Sequence, residues 1–321
     1  NFPHNSIMVQ TTVGGSLGET DDDLRWLVDY IQTNDPDGEG YYQAYTHIAP
    51  DETIMEETDE EHFYQIGGAT IFDNNGVKEL QMLWGEMDNH EGKMTRTGTC
   101  LAVYSLEGQP GNSTYLKRIS KNEEFNTDDV GYGSTIWKDE DGHIYLYVTE
   151  NNRPLVARTT THDLTSEWEY YIRDLSGNFM WQKMYPTKEE RTRSTIMDNN
   201  YVCSMPQIFK KGDYYYMIGQ AVSYVHSVYL YRGETPYGPF TDQKILFNVP
   251  YAVDKIGNQY YKNLLRVNLH LELAREGELV FSTNTDADTA GDNFDFPGSA
   301  DFCRPYFYRV FNWESIYDED E

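Results

Sequence analysis

Basic residues are scarce in this sequence, and the shortage limits what the chain can bind. Lys and Arg together number 25 among 321 residues, against 53 Asp and Glu, which gives a formal net charge of −28 at pH 7. Such an acidic surface repels phosphate backbones and anionic lipids, because no basic stripe is present to displace their counterions. We therefore expect no nucleic-acid partner, and the charge either suits neutral or cationic partners or serves solubility alone.

Long apolar runs and paired cysteines are also missing. No stretch of eighteen apolar residues occurs, so the sequence predicts no membrane insertion. The three cysteines, Cys100, Cys203 and Cys303, form no C-x-x-C pair, which argues against a structural zinc site. Unpaired buried thiols are the ordinary interpretation of such cysteines, and one disulfide with one free thiol remains open.

Glycine turns recur at a nearly constant spacing along the chain. Each turn separates two β-rich runs, and glycine supplies the positive φ that a tight hairpin needs. The successive turn glycines lie 62, 66, 70 and 65 residues apart. They are Gly14, which fits the pattern more loosely, Gly76, Gly142, Gly212 and Gly277. The spacing predicts five copies of one structural unit.

Four strands can be recognised in most of these units. Runs rich in β-branched and aromatic residues flank each turn, as at 69–72 and 80–84, and the last unit is predicted to begin with a strand over 269–273. The run 24–31 fits a helix equally well. Third strands are predicted at 100–106, 155–159, 228–232 and 306–311, and fourth strands at 115–119, 168–172 and 244–247.

Five units of four strands predict an all-β fold, a five-bladed β-propeller with four-stranded antiparallel blades. Neighbouring blades must stack, because one small sheet cannot bury both of its faces alone. Residues 1–321 then form a single domain. Its blades cover roughly residues 1–60, 61–125, 126–195, 196–260 and 261–321. A pair of β-sandwiches is the alternative, but sandwiches need no 65-residue period.

Several phrases in the chain resemble the five-bladed propellers of glycoside hydrolase family 43 and of neighbouring uncharacterised families, one of which includes endo-D-arabinanases. The phrases lie at 138–145, 205–209 with 214–216, 232–240, 268–273 and 304–307. The resemblance implies a glycan partner at the axial pocket, and it matches His270 to a channel histidine that often helps to hold a metal through water. The three acidic residues of family 43 match Asn5, Gly133 and Ser204, so the mechanism of that family does not transfer.

A propeller gathers the starts of its inner strands around one axis, where ligands usually bind. Glycoside hydrolysis needs two carboxyl groups, one of them protonated, and clustered acids raise one another's pKa. Two carboxylates near any rim are also expected by chance in so acidic a chain. The candidate catalytic residues are Asp128, Asp129, Glu61 and Glu272, and the candidate substrate-binding residues are His4, Asn5, Ser204, His270, Arg304 and Trp181, the last as an exposed platform for a sugar ring.

A calcium ion is conceivable where aspartates crowd one polar loop, although the spacing is not that of an EF-hand and a solvated loop is the simpler interpretation. The aspartates are Asp286, Asp288, Asp292 and Asp295.

The chain opens at Asn1 without a signal peptide and carries a sequon at Asn112, which suits a processed protein that is secreted or held at the cell surface. We expect an exported, glycoside-hydrolase-like protein, and the alternative is a non-catalytic extracellular module that binds glycans or serves as a structural element.

Overall fold

The structure is a computed structural model. It describes residues 62–90, 93–108, 116–126, 129–198, 201–202, 205–222, 225–250, 255–256, 259–260, 263–286 and 305–320. Strands dominate these residues, and the helices among them are the α-helix α1 (Lys188–Arg193) and two 3-10 helices, Leu271–Leu273 and Trp313–Asp320. No helix in this part of the chain has the length and apolarity that crossing a membrane requires.

The first described sheet is built from four antiparallel strands in the order of the chain. Asn75 and Gly76 join the first two strands with φ angles of 54° and 90°, which is the left-handed geometry expected of a tight hairpin. Its strands are β1 (His62–Asn74), β2 (Val77–His90), β3 (Lys93–Ser105) and β4 (Arg118–Asn126).

Three further sheets follow the same meander. The second has five strands, β5 (Thr135–Lys138), β6 (Ile144–Glu150), β7 (Arg153–Thr159), β8 (Trp168–Arg173) and β9 (Phe179–Gln182). The third has four, β10 (Gln207–Lys211), β11 (Tyr214–Gly219), β12 (Ser227–Gly233) and β13 (Thr241–Asn248). After the small hairpin β14 (Lys255–Ile256) and β15 (Gln259–Tyr260), the last sheet comprises β16 (Asn263–Leu269), β17 (Glu278–Asp286) and β18 (Pro305–Phe311).

The first strands of successive sheets lie side by side, so that β1 contacts β5, β5 contacts β10 and β10 contacts β16. The backbone N–H of Gly68 donates to the carbonyl of Gly133 at 2.7 Å, and Thr135 Oγ1 donates to the carbonyl of Pro206 at 2.7 Å. Antiparallel sheets that meet through their first strands form a β-propeller. The described residues form four blades, and the expected first blade, residues 1–60, lies outside them.

Apolar side chains fill the spaces between consecutive blades. Leu83 and Leu101 of the first sheet pack with Ile144 and Leu146 of the second, and all four are almost completely buried. A second cluster joins the second and third sheets, and a third joins the third and last sheets. Burial at about 25 cal/mol per Å² of apolar surface makes this stacking the main term that holds blade to blade.

Three sequence-based assignments need correction. The strand predicted over 269–273 ends at Leu269, because the chain turns there into a 3-10 helix whose Leu273 N–H donates to the His270 carbonyl. The fourth strand predicted at 115–119 is β4, which begins at Arg118 and is too polar and exposed to show an apolar signal. The second blade has a fifth strand, β9, in addition to the four predicted for each blade.

Cys100 on β3 is a free, fully buried thiol. Burial raises the pKa of this thiol to about 12, so it behaves as a small apolar side chain. Cys203 and Cys303 lie outside the described residues.

Candidate functional site

A cavity of about 230 Å³ lies where the four inner strands meet. We call it the axial cavity. Every described blade contributes to its wall, which combines apolar side chains, neutral hydrogen-bonding groups and two guanidinium groups. The hydrogen-bonding and charged members are Gln65 of β1, Arg96 of β3, Ser134 just before β5, Thr149 of β6 and Arg266 of β16. All four described blades therefore meet at this cavity, but of its lining residues only those at 130–134 and Met205 precede a first strand, and the others lie within strands.

Glycines allow β1 to approach its neighbours closely at the wall of this cavity. A β-bulge between Ile66 and Ala69 contains Gly67 and Gly68. A Cβ atom on Gly68 would lie 2.5 Å from Ile136 Cγ2, and one on Gly67 would lie 2.8 Å from the Leu83 carbonyl oxygen. A larger residue at Gly68 would therefore overlap the second blade, and one at Gly67 would overlap the β2 backbone of its own blade.

Arg266 enters the cavity through a second irregularity. The pairing of β16 with β17 shifts between Leu265 and Val267, and Arg266 has a φ of 51°, in the left-handed region that non-glycine residues avoid. Leu264 and Val267 are both buried although they are three residues apart, a spacing that places two side chains on opposite faces of a regular strand. The bulge inserts Arg266 between the paired residues Leu265 and Val267 and leaves its side chain exposed. The left-handed conformation of Arg266 costs about 1–3 kcal/mol of backbone strain.

Arg96 lies in a slot formed by two glycines. A Cβ atom on Gly131 would lie 2.6 Å from Arg96 Nε, and one on Gly85 would overlap Arg96 Nη1. Arg96 Nη2 also donates to the hydroxyl of Thr99, which is fully buried, at 2.6 Å. The guanidinium group is therefore held in place against the backbone of two blades.

A second cavity of about 260 Å³ adjoins the first, and Met87 lines both. We call it the acidic cavity, because Glu86, Asp88 and Glu123 line it together with His62 and Tyr64. It lies at the end of the first blade, where β1 and β2 extend beyond the shorter strands of the other blades. The two cavities together fall within the range of about 300–1,000 Å³ that is typical of small-molecule sites.

The groups of the acidic cavity interact with one another. Tyr64 OH donates to Glu123 Oε1 at 2.9 Å, and His62 Nδ1 lies 2.5 Å from Asp88 Oδ1. Burial, together with the nearby Glu123 carboxylate, raises the pKa of Glu86. Glu86 Oε1 is buried and makes no hydrogen bond within the described residues. A half-buried carboxyl with a raised pKa can hold a proton that it later donates.

Six of the ten sequence-predicted site residues lie outside the described residues and stay predictions. They are His4, Asn5, Glu61, Asp128, Ser204 and Arg304. The other four, Asp129, Trp181, His270 and Glu272, are described, and none of them is among the described residues that line the two cavities.

Asp129 lies beside Val130 of the axial cavity but is engaged elsewhere. Its carboxylate accepts from Tyr185 OH at 2.8 Å and pairs with Arg191 Nη2 at 3.1 Å. Burial opposes ionisation, but the Tyr185 hydrogen bond and the Arg191 charge lower the pKa of Asp129. Asp129 is therefore suited to be a carboxylate base or a structural partner, and unsuited to donate a proton.

His270 and Glu272 contact each other, but their predicted place in a pocket stays a prediction, since neither lines the two cavities. His270 Nδ1 is 3.2 Å from Glu272 Oε1, and its Nε2 is 2.8 Å from Ser282 Oγ. Burial opposes ionisation, but the hydrogen bond with His270 lowers the pKa of Glu272. The order of these groups resembles a Ser-His-Glu triad, yet Ser282 is 3% exposed while Glu272 is 56% exposed. A nucleophile must be accessible, so the exposure runs opposite to what a triad requires.

Trp181 belongs to an aromatic cluster on the second blade. Its ring is half-buried, lies 4.7 Å from the ring of Tyr171 and 5.5 Å from that of Tyr237, and has Arg158 Cζ 4.2 Å from its centroid. The expected role as a sugar platform stays a prediction, and these contacts leave less of the ring free for it.

No group of three or more His, Cys, Asp or Glu side chains is arranged to hold a metal ion within the described part of the chain. Of the four aspartates considered for calcium, only Asp286 at the end of β17 belongs to a described range. The roles of His270 beside a metal and of this loop around calcium remain predictions.

Sequence reasoning missed the charged residues that do line the cavities. Arg96, Arg266 and Glu86 lie three or more residues inside strands, whereas the sequence-based candidates came mainly from residues at or before the starts of first strands. The glycines at 67, 68 and 85 were the available signal, since glycine inside a strand often marks a bulge or a close approach of backbone.

Comparisons with known proteins agree with the fold. The model of a family described as a domain of unknown function, DUF5005, matches residues 1–313. A solved structure from Bacteroides ovatus ATCC 8483, described as "a putative hydrolase", is 52% identical with a TM-score of 0.81, covering 98% of this chain and 78% of its own. No curated protein matches the chain.

Two glycosidases are similar at a much lower level. An α-L-arabinofuranosidase from Lactobacillus brevis is 9% identical with a TM-score of 0.45, covering 80% of this chain and 77% of its own. An exo-β-1,3-galactanase from Phanerochaete chrysosporium is 11% identical with a TM-score of 0.40, covering 78% and 46%. Likenesses this distant say nothing about the chemistry of this chain, and these comparisons give no support to the expected link with endo-D-arabinanases.

Proposed function

We propose that this chain, which belongs to the DUF5005 family, is a carbohydrate-active propeller that engages a glycan at its axial cavity. The observation that carries the proposal is the cavity itself, a concave site to which all four described blades contribute. Gln65, Ser134 and Thr149 offer neutral donors and acceptors of the kind that recognise sugar hydroxyls, next to apolar side chains such as Val130 and Met205.

The proposal includes a fifth blade formed by residues 1–60. Its support is the regular spacing of the turn glycines and the fact that each described sheet falls within one period of that spacing. We also propose that the protein acts outside the cell, which the acidic composition and the sequon at Asn112 favour.

A second candidate function, hydrolysis of the bound glycan, is favoured by Glu86. Its raised pKa suits a general acid, and Asp88 and Glu123 in the same cavity suit the carboxylate partner. In this reaction Glu86 gives its proton to the leaving glycosidic oxygen while the bond from the sugar carbon to that oxygen breaks, and the second carboxylate activates the attacking water. The description of a 52% identical protein as a hydrolase points the same way.

One experiment separates the two functions. The chain is incubated with a panel of arabinans and other plant and bacterial polysaccharides, and both binding and the release of reducing ends are measured. Release of reducing ends that Glu86→Gln abolishes while binding persists supports hydrolysis. Glu124→Gln is the matched control, because Glu124 is an exposed residue of β4 that lines neither cavity. Binding without release favours a non-catalytic module, and the absence of both contradicts the proposal.

A further inference from the structure

We infer that the glycan carries a carboxylate, as a uronic acid does, and that Arg96 and Arg266 bind this group in the axial cavity. The inference rests on the proposed function, since it names the class of sugar that enters the cavity. A uronate carboxylate is planar and accepts two parallel N–H bonds from a guanidinium group, which makes arginine the residue suited to it.

The charge of the cavity wall is opposite to that of the chain. About one residue in six is acidic, and acids outnumber bases two to one. The described residues of the axial wall nevertheless include two arginines and no carboxylate. Glu86 on the adjoining acidic cavity is close enough to Arg96 for the positive charge of Arg96 to oppose the rise of its pKa. An anion therefore finds in this cavity a local positive potential within an otherwise negative surface.

The backbone conformation of Arg266 brings its side chain to the cavity, although that conformation is strained for any residue other than glycine. Its φ of 51° would suit glycine, and the residue stands in a bulge that removes it from the strand ladder. Bulges beside functional sites direct a side chain towards a ligand. No described contact of Arg266 accounts for an arginine at this position, whereas a carboxylate ligand does.

Arg96 lines the same cavity from a different blade. The glycine slot at 85 and 131 and the hydroxyl of Thr99 fix its guanidinium group before any ligand arrives. A pre-positioned cation binds without a further loss of side-chain freedom, so it contributes more to affinity than a mobile lysine would. The two arginines belong to the first and last described blades, and a carboxylate between them would join both.

The test is calorimetric titration of the full chain with trigalacturonate, with galactotriose as the neutral probe and with inorganic sulfate. Arg266→Gly removes the charge at a position where glycine is unstrained, so this variant is expected to unfold at a temperature no lower than the original chain. Gly85→Ala displaces Arg96 by overlap with Nη1 and introduces no positive φ. Lys78→Ala is the matched control. Lys78 is exposed at the far end of β2, and its replacement removes one positive charge, as Arg266→Gly does.

We expect trigalacturonate to bind, galactotriose to bind at least tenfold more weakly, and each of Arg266→Gly and Gly85→Ala to weaken trigalacturonate about tenfold to hundredfold. Lys78→Ala should leave the affinity unchanged. Equal binding of both trisaccharides overturns the inference and leaves the proposed glycan site in place. Sulfate that binds as tightly as trigalacturonate also overturns it, because the cavity then recognises charge without a sugar. If neither trisaccharide binds, the inference fails, and binding of another neutral glycan in the polysaccharide panel would still uphold the proposed function.

Discussion

Replacement of Arg191 by Met should destabilise the second blade more than replacement of Asp129 by Asn. Arg191 is 4% exposed on α1, and it donates to Glu150 through Nε at 3.0 Å and Nη2 at 3.2 Å. It also donates to Asp129 at 3.1 Å and to the Pro186 carbonyl at 3.0 Å. Methionine keeps much of the volume but leaves these acceptors without their cation.

The magnitude follows from the exposure of each partner. Breaking a buried ion pair costs about 3–5 kcal/mol, and Glu150 is 21% exposed, so we expect the lower value of about 3 kcal/mol. At about 2 °C per kcal/mol for a chain of this size, Arg191→Met lowers the Tm by about 6 °C. Asp129 is 68% exposed, and water replaces much of what it loses, so Asp129→Asn should cost less than about 1 kcal/mol.

The assay is equilibrium urea unfolding of the full chain, followed by tryptophan fluorescence, at several pH values. Because the pKa of Asp129 is lowered in the folded state, its contribution is present above the unfolded value of about 3.9 and is lost as the pH falls through the lowered value. The small gap between the original chain and Asp129→Asn should therefore close below about pH 4. Equal destabilisation by Arg191→Met and Asp129→Asn would refute this reasoning.

Two further predictions concern the site. Because the pKa of Glu86 is raised, its ionisation in the folded state destabilises the protein as the pH rises above the unfolded value of about 4.3, so Glu86→Gln should stabilise the chain at pH 7 but not at pH 4 in the same urea assay. Gly68→Ala should destabilise the chain by about 1–3 kcal/mol, since its methyl group overlaps Ile136, and the loss should be smaller in an Ile136→Ala background, where the overlapped atoms are removed; equal losses in the two backgrounds would contradict the packing argument.

The sequence predicted the sheets well because the signals for them are local. Asn75-Gly76 and Asp141-Gly142 mark hairpins through their own φ preferences, and the apolar runs beside them form the predicted strands. The assignments that failed depend on distant partners. The turn at His270 is stabilised by Ser282 on the next strand, and β4 is placed by its pairing with β3 and not by its own polar sequence.

The candidate site was harder to predict for a related reason. Arg266 reaches the cavity because a bulge changes which side chains of β16 are buried, and one inserted residue reverses the faces of everything that follows. Arg96 reaches it because Gly85 of β2 and Gly131, in the segment before β5, leave room. Neither effect can be derived from the composition or alternation of a single strand.

The bond between Gly68 and Gly133 has an evolutionary consequence. Main-chain atoms form this hydrogen bond, so substitutions of the surrounding side chains do not remove either partner while glycine is kept at both positions. Related proteins can therefore differ in the side chains that select a ligand and still keep this hydrogen bond between the first and second described blades.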